Sequence, residues 1–286
     1  MLCLLLPFLV GLALATPLER RHQDLIYGGH IVETHEFPFQ ILFIRAGEGH
    51  FCGGTLLTSR FVLTAAHCMD QMKSNAVTTV YAGLLNVKDL QNSLVQSSLI
   101  KNMTSHSDWD PNTVQNDIGI IELETEFVFT EAVQPIRIEE HDRFGENVVT
   151  VGFGATDYRE EIPTESKVLR YADVKIFDRR SVPEWSIVEN TPITVTQLCT
   201  TSKVQGMLPG DSGGPLLYRN RDHTWRQIGI TSFLSLPDYQ MLPNVYTKAN
   251  EYCSWISEVT NESYKWRIAQ LCCVVVIQPN SLYKNP

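Results

Sequence analysis

Residues 210–215 read Gly-Asp-Ser-Gly-Gly-Pro, a turn in which small residues surround a single hydroxyl group. Glycine has no side chain, so backbone amides can crowd around Ser212 here. The amides of Gly210 and Ser212 can converge as an oxyanion hole, which acyl transfer needs besides a nucleophile. Glycine-rich turns with a serine are common, so this stretch alone leaves a nucleophile and an ordinary turn equally open.

A second motif offers a base. Residues 63–68 read Leu-Thr-Ala-Ala-His-Cys, an apolar strand end that delivers His67 beside Cys68. Cys68 can bridge to Cys52, and such a disulfide would hold the backbone of the base rigid. For a histidine taken alone, a core residue with satisfied hydrogen bonds is the more common interpretation.

A third motif offers a carboxylate to orient the base. Residues 116–121 read Asn-Asp-Ile-Gly-Ile-Ile and place Asp117 at the entrance of an apolar strand. There it can be desolvated and accept a hydrogen bond from an imidazole N–H. Its alternative is an ordinary turn aspartate.

The order of the three motifs bears on the fold. The glycine-rich turn also fits the G-x-S-x-G nucleophile elbow of α/β-hydrolases, in which the aspartate and the histidine follow the serine. Here His67 and Asp117 both precede Ser212, and the only histidine after Ser212 is His223. The α/β-hydrolase alternative is therefore disfavoured.

The remaining pattern is that of a β protein. Short apolar runs separated by turn residues predict strands, and no long amphipathic helical pattern occurs in the first two hundred residues, which disfavours alternating βα units. One helix is predicted near the end, over residues 250–259. The predicted strands are residues 39–44, 54–57, 61–65, 77–82, 118–123, 148–153 and 227–233.

Taken together, the motifs resemble the chymotrypsin/trypsin family of serine proteases. The stretches that carry the resemblance are FCGGTLL, LTAAHC, NDIGIIEL, VTVGFG, GDSGGPLL, ITSF and NVYTK, between about residues 26 and 260. The resemblance implies an all-β fold of two perpendicular six-stranded antiparallel Greek-key barrels with a C-terminal helix. It also implies a catalytic triad in the cleft between the barrels.

The resemblance assigns roles to the motif residues. His67 would take the proton from Ser212, Asp117 would fix the tautomer of His67, and the amides of Gly210 and Ser212 would stabilise the oxyanion. Ser232 resembles the family serine that lines the triad carboxylate. The backbone of residues 232–234 would pair with an extended substrate as an added strand.

The resemblance also places a substrate pocket. Gly206 lies six residues before Ser212, at the position where trypsins carry an aspartate at the pocket floor. Leu234 and Asn244 stand where many members have glycine and should narrow the walls, while Phe233 should pack under the substrate strand. The resulting expectation is a small or medium apolar P1 residue, where P1 is the residue whose carbonyl is attacked.

The N-terminal region predicts export and activation. Residues 1–15 contain an uncharged apolar run that ends in Ala-Leu-Ala, which predicts a signal peptide. Residues 16–25 would be a propeptide, residues 26–260 the protease domain, and residues 261–286 a tail without an assigned role. By the resemblance, a new N-terminal Ile26 would pair with Asp211. Because Ile26 follows leucine, both cleavage after Leu25 and trimming after a first cut at Arg21 remain open.

Cysteine use favours disulfides. Removal of Cys3 with the signal peptide leaves six cysteines, and neither CxxC nor HExxH occurs, so disulfides are favoured over structural zinc. No metal and no cofactor are expected. The pairing of four cysteines, Cys199, Cys253, Cys272 and Cys273, remains open. Sequons at Asn102 and Asn261 fit a secreted glycoprotein.

Charge restricts the partners. A net charge of −9 and a pI near 5.4 argue against nucleic acid. The predicted function is a secreted, extracellular, monomeric serine endopeptidase with polypeptide substrates and a protein inhibitor, without membrane attachment. The alternative is a catalytically silent homologue that binds or regulates, motivated by the unusual activation site and the narrowed pocket.

Overall fold

The computed structural model describes residues 29–73, 76–156, 165–178, 187–188, 191–200, 205–234, 242–261 and 263–264. The predicted signal peptide and propeptide, Ile26, most of the tail, Cys272 and Cys273 lie outside the described residues.

The first barrel is built from the N-terminal half of the chain. Strands β2 to β7 close in the neighbour order β2-β3-β4-β7-β6-β5, and every pairing is antiparallel. The helix α1 (Ala66–Met72) connects β4 to β5. The strands are β1 (His30–Ile31), β2 (Gln40–Arg45), β3 (Gly49–Leu56), β4 (Phe61–Thr64), β5 (Thr78–Ala82), β6 (Gln96–Ser105) and β7 (Gly119–Leu123).

The second barrel follows and receives β1 from the N-terminal side. Its strands are β8 (Arg137–Ile138), β9 (Asn147–Gly152), β10 (Arg170–Phe177), β13 (Gln197–Thr200), β14 (Pro215–Arg219), β15 (Trp225–Phe233) and β16 (Asn244–Lys248). Six of them close antiparallel in the order β10-β13-β16-β15-β14-β9, with β9 pairing back to β10. Strand β1 pairs with β10, β8 runs parallel to β15, and β11 (Ile187–Val188) pairs with β12 (Thr191–Pro192).

The chain ends its described part in two short helices. A 3-10 helix (Ala249–Tyr252) leads directly into α2 (Cys253–Val259), where one helix over residues 250–259 was predicted. Ile256 of α2 is fully buried in the main apolar core. The prediction of an all-β fold with two six-stranded antiparallel barrels and a C-terminal helix is confirmed.

The sequence pattern revealed strands that read as apolar runs and missed others. All four residues of β4 are buried, which gives the continuous apolar run that predicted it. Strand β10 alternates buried and less buried residues and carries Asp173 and Lys175 on its outer face, so it has no apolar run. The prediction missed β10 and the largely exposed β6 for this reason. It also missed β13, β14 and β16, which are mostly buried but include polar residues or a proline.

The histidine motif folds differently from the expectation. The strand ends at Thr64, Ala65 has an extended backbone, and α1 begins at Ala66, so His67 lies in the first turn of a helix and not at a strand end.

Among the helices of the described residues, none is long and apolar enough to cross a membrane.

Candidate active site

His67 is fixed from two sides. Its chain neighbour Cys68 forms a disulfide with Cys52 of β3, as predicted. The backbone amide of His67 donates to Asp117 Oδ1 at 2.9 Å. The His67 side chain remains 24% exposed, so a substrate can reach the ring.

Asp117 is the carboxylate that contacts both His67 and Ser232. Its side chain is fully buried, and its Oδ2 lies 2.7 Å from His67 Nδ1 and accepts from Ser232 Oγ at 2.5 Å. Because a carboxylate can only accept, Nδ1 carries the hydrogen and the neutral ring leaves Nε2 able to take up a proton. The hydroxyl of Thr247 donates to the Asp117 carbonyl oxygen at 2.9 Å. The second barrel therefore holds the aspartate that orients a histidine of the first.

A second carboxylate acts on His67, and the sequence reasoning missed it. Burial lowers the pKa of His67, but the charge and hydrogen bond of Asp117 and the charge of Asp70 together raise it above 6.5. Asp70 is held by Lys73 Nζ at 2.6 Å and by Trp109 Nε1 at 2.8 Å. The three-residue spacing from His67 on a helix is the signal that could have found it.

The Ser212 turn is attached to the first barrel close to His67. The amide of Gly53, next to Cys52, donates to the Ser212 carbonyl at 2.7 Å. A Cβ at Gly213 would lie 2.2 Å from Thr64 Oγ1 and 3.1 Å from Ala65 N, so this turn packs directly against the residues that precede His67. Only glycine fits there, and its φ of +77° also favours glycine.

The structure brings the segments of Ser212 and His67 together without a hydrogen bond between the two side chains. In the described part of the chain, Ser212 Oγ makes no hydrogen bond. Catalytic hydrogen bonds are often loose before substrate binds and tighten in the complex. The arrangement is compatible with proton transfer from Ser212 to His67 Nε2.

Two backbone amides of the Ser212 turn lack an acceptor within the described residues. The carbonyl of Pro209 accepts from Ala155 N at 2.8 Å, and because the peptide bond is trans, the N–H of Gly210 points to the opposite side. Neither the Gly210 amide nor the Ser212 amide donates to an acceptor within the described residues. Both are therefore available to an external oxygen atom.

The side chain of Asp211 packs into the second barrel. Its carboxylate is buried and accepts from Gly154 N at 2.7 Å and from Leu208 N at 3.0 Å. A Cβ at Gly152 or Gly154 would lie within 2.4 Å of this carboxylate, so both positions require glycine. Burial raises the pKa of Asp211 to about 7, although the two N–H groups lower it.

The residues predicted to form the pocket lie close together. Asn244 is fully buried, and its Oδ1 accepts from Met207 N, next to Gly206, at 3.1 Å. Leu234 is partly buried and packs against Leu208. These two side chains therefore reach toward residues 206–208, and Gly206 contributes no side chain of its own.

Phe233 is the remaining predicted pocket residue. It packs on a small apolar cluster of Ile193, Cys199 and Val245. It therefore supports β15 from the side of β13 and β16, beneath the backbone at which an extended substrate was expected.

The site does not fit a metal ion. Cys52, Cys68 and His67 bring potential ligand atoms within 4.8 Å of one another. Both sulfur atoms belong to the disulfide, so neither is a thiolate, the form of cysteine that binds metals. His67 alone would remain as a ligand in this group.

Comparison with known proteins identifies the family. A sequence model described as Trypsin matches residues 26–256. A chymotrypsin of Phaedon cochleariae is 32% identical over 239 residues, which cover 81% of this chain and 80% of the relative. Phenoloxidase-activating enzyme 1 of Spodoptera litura is 30% identical over 261 residues, which cover 84% of this chain and 68% of the relative. The chain therefore belongs to the trypsin family of serine proteases, which act on polypeptides.

Proposed function

We propose that this protein is a secreted serine endopeptidase that cleaves peptide bonds through an acyl-enzyme. Ser212 attacks the scissile carbonyl carbon, and its proton passes to His67 Nε2. His67 then donates this proton to the leaving amine, and water, activated by His67 in the same way, hydrolyses the ester on Ser212. Asp117 holds the tautomer of His67 and stabilises the imidazolium that forms.

The observation that carries this proposal is the contact between Asp117 and His67. A fully buried carboxylate 2.7 Å from Nδ1 is costly to bury unless its partners are fixed, and here His67 and Ser232 both donate to it. A histidine of purely structural role would have no need of a partly exposed ring beside a glycine-rich serine turn. The amides of Gly210 and Ser212 serve as the oxyanion hole in this proposal.

We infer that activation creates an ammonium group at Ile26 that pairs with Asp211. The support is the buried Asp211 carboxylate, which has backbone N–H partners but no cationic partner among the described residues. Residues 1–15 and 16–25 serve as signal peptide and propeptide in this scheme, and the protease domain spans residues 26–260. N-terminal sequencing of active protein that starts anywhere but Ile26 would contradict it.

The pocket residues support an uncharged P1 side chain of small or medium size. Gly206 brings no charge to the floor, and Leu234 and Asn244 occupy space beside it. Apolar side chains and neutral polar side chains of this size are the two classes to compare, and a macromolecular inhibitor would fill the same cleft. We expect the enzyme to act as a monomer.

The test is labelling of the processed, secreted protein with a fluorophosphonate probe. Wild type should be labelled, and Ser212→Ala should not be labelled and should lose turnover by a factor on the order of 10⁶ while it keeps its fold. The matched control is Ser59→Ala, which removes a surface hydroxyl bonded to Glu126 and should leave labelling unchanged. Absence of labelling in correctly processed wild type would favour the silent homologue instead.

A further inference from the structure

Three neighbouring segments of the second barrel form the predicted pocket: the Ser212 turn, β15 and β16. The Ser212 turn is tied to β15 because Gly213 N donates to Thr231 O at 2.8 Å and Thr231 N donates to Gly214 O at 2.9 Å. Strand β16 lies beside β15, with Tyr246 opposite Thr231. Asn244 and Tyr246 are two residues apart on β16, so their side chains point to the same face.

The amide of Asn244 has an orientation fixed by its partner. The backbone N–H of Met207 can only donate, so the Asn244 atom 3.1 Å away must be the carbonyl oxygen. The Nδ2 group with its two hydrogens therefore points elsewhere. It is fully buried and has no hydrogen-bond partner within the described residues.

Other buried polar side chains lie on the strands next to this amide. The hydroxyl of Thr231 is buried and, in the described part of the chain, has no hydrogen-bond partner. The Tyr246 phenol is also buried and lies beside the hydroxyls of Thr150 and Thr200, which can pair with it. Thr200 lies opposite Asn244 in the pairing of β13 with β16. Buried polar groups in native proteins are almost always paired, so a floor of this composition is built to contact polar atoms.

The charge of the floor restricts which polar group can bind. Burial raises the pKa of the Tyr246 phenol, and the nearby Asp211 carboxylate raises it further, so the phenol stays neutral. None of the described residues of this floor carries a positive charge, so an anionic side chain would be buried there without a cationic partner. A neutral carboxamide offers an oxygen to Asn244 Nδ2 and an N–H to a threonine or tyrosine hydroxyl.

On the basis of the proposed protease function, we propose that Asn244 makes this pocket select asparagine at P1. The asparagine carboxamide oxygen accepts from Asn244 Nδ2, and its nitrogen donates to a hydroxyl of the floor. Leucine has nearly the same shape but leaves Asn244 unpaired, and sites built to hydrogen-bond a substrate group reject analogues that lack it. Leu234 limits the length of the side chain and favours asparagine over glutamine.

The test compares peptide substrates that differ only at P1. Processed wild type should cleave an asparagine substrate with kcat/KM roughly tenfold above the leucine substrate and above the aspartate substrate. Asn244→Asp keeps the acceptor for Met207 N and replaces the donor, so the ratio of asparagine to leucine cleavage should fall to about one. The matched control is Asn147→Asp, the same change at an exposed position at the start of β9, which should leave the ratio unchanged.

The outcomes separate this inference from the protease function. The fluorophosphonate probe carries no P1 carboxamide, so its labelling reports the triad independently of the pocket. Labelled wild type that cleaves leucine as well as asparagine overturns the inference and leaves the protease function standing. A ratio that is unchanged in Asn244→Asp also overturns it, and an unlabelled wild type overturns both.

Discussion

Thr247 donates its hydroxyl to the carbonyl oxygen of Asp117 at 2.9 Å, and both residues are buried. Thr247 belongs to β16 of the second barrel, whereas Asp117 precedes β7 of the first. Ser232 of β15 adds a second link through the Asp117 carboxylate. The position of the aspartate that orients His67 therefore depends on how the two barrels pack.

Thr247→Val should weaken both stability and turnover. The buried Asp117 carbonyl would lose its donor, which should lower the free energy of unfolding by about 1–3 kcal/mol. Thr247→Ser keeps the hydroxyl and serves as the control. Urea denaturation and kcat measured on both variants check this, and a valine variant that matches the serine variant in both would contradict the link.

Asp70→Asn should shift the pH profile of kcat/KM. Asp70 is one of the negative charges that raise the pKa of His67, so its removal lowers this pKa. His67 must be neutral to act as a base, and activity is lost as the pH falls through its pKa. The acid limb should therefore move to lower pH. Asp222→Asn, an exposed aspartate bonded to Thr224, is the control, and limbs that coincide in both variants would refute the effect.

Asp211 should make the unprocessed chain less stable as the pH rises from about 4 to about 7. Its pKa is about 7 in the folded chain because of burial, against 3.8 ordinarily. Between these values the folded chain holds a proton that the unfolded chain releases, so the free energy of unfolding falls with rising pH. Urea midpoints at pH 4.5 and 7.5 should differ more in the Ser212→Ala protein than in Ser212→Ala with Asp211→Asn. Equal differences would contradict this.

Gly213→Ala and Gly145→Ala form a matched pair. Gly213 has a φ of +77° and Gly145 a φ of +82°. Alanine is strained at positive φ, so its backbone should cost a similar free energy at each position, about 1–2 kcal/mol. A Cβ at Gly145 meets open space, whereas at Gly213 it would lie 2.5 Å from Gly53 O. We expect Gly213→Ala to lose about 1–3 kcal/mol more in urea denaturation, together with activity. Equal losses would show that the close packing of this turn is not needed.

Local pattern predicted strands that read as apolar runs, and burial alone was not enough, because the fully buried β16 carries polar residues and was missed. Strand β4 is apolar throughout and was recognised, whereas β10, with Asp173 and Lys175 on its outer face, was not. The helix at His67 was missed because it has only seven residues, too few to show a helical period. The two barrels were still predicted, because the order of the histidine, aspartate and serine motifs pointed to the family and its fold.

The sequence by itself determined the motifs around His67, Asp117 and Ser212, because each is a run of neighbouring residues whose chemistry is readable without coordinates. Only the tertiary structure decided that Thr247 holds Asp117 and that the buried Asn244 amide nitrogen has no partner among the described residues. Thr247 and Asp117 are 130 residues apart in the chain. Contacts over such distances are set by the closure and packing of the barrels, which no local pattern of residues encodes.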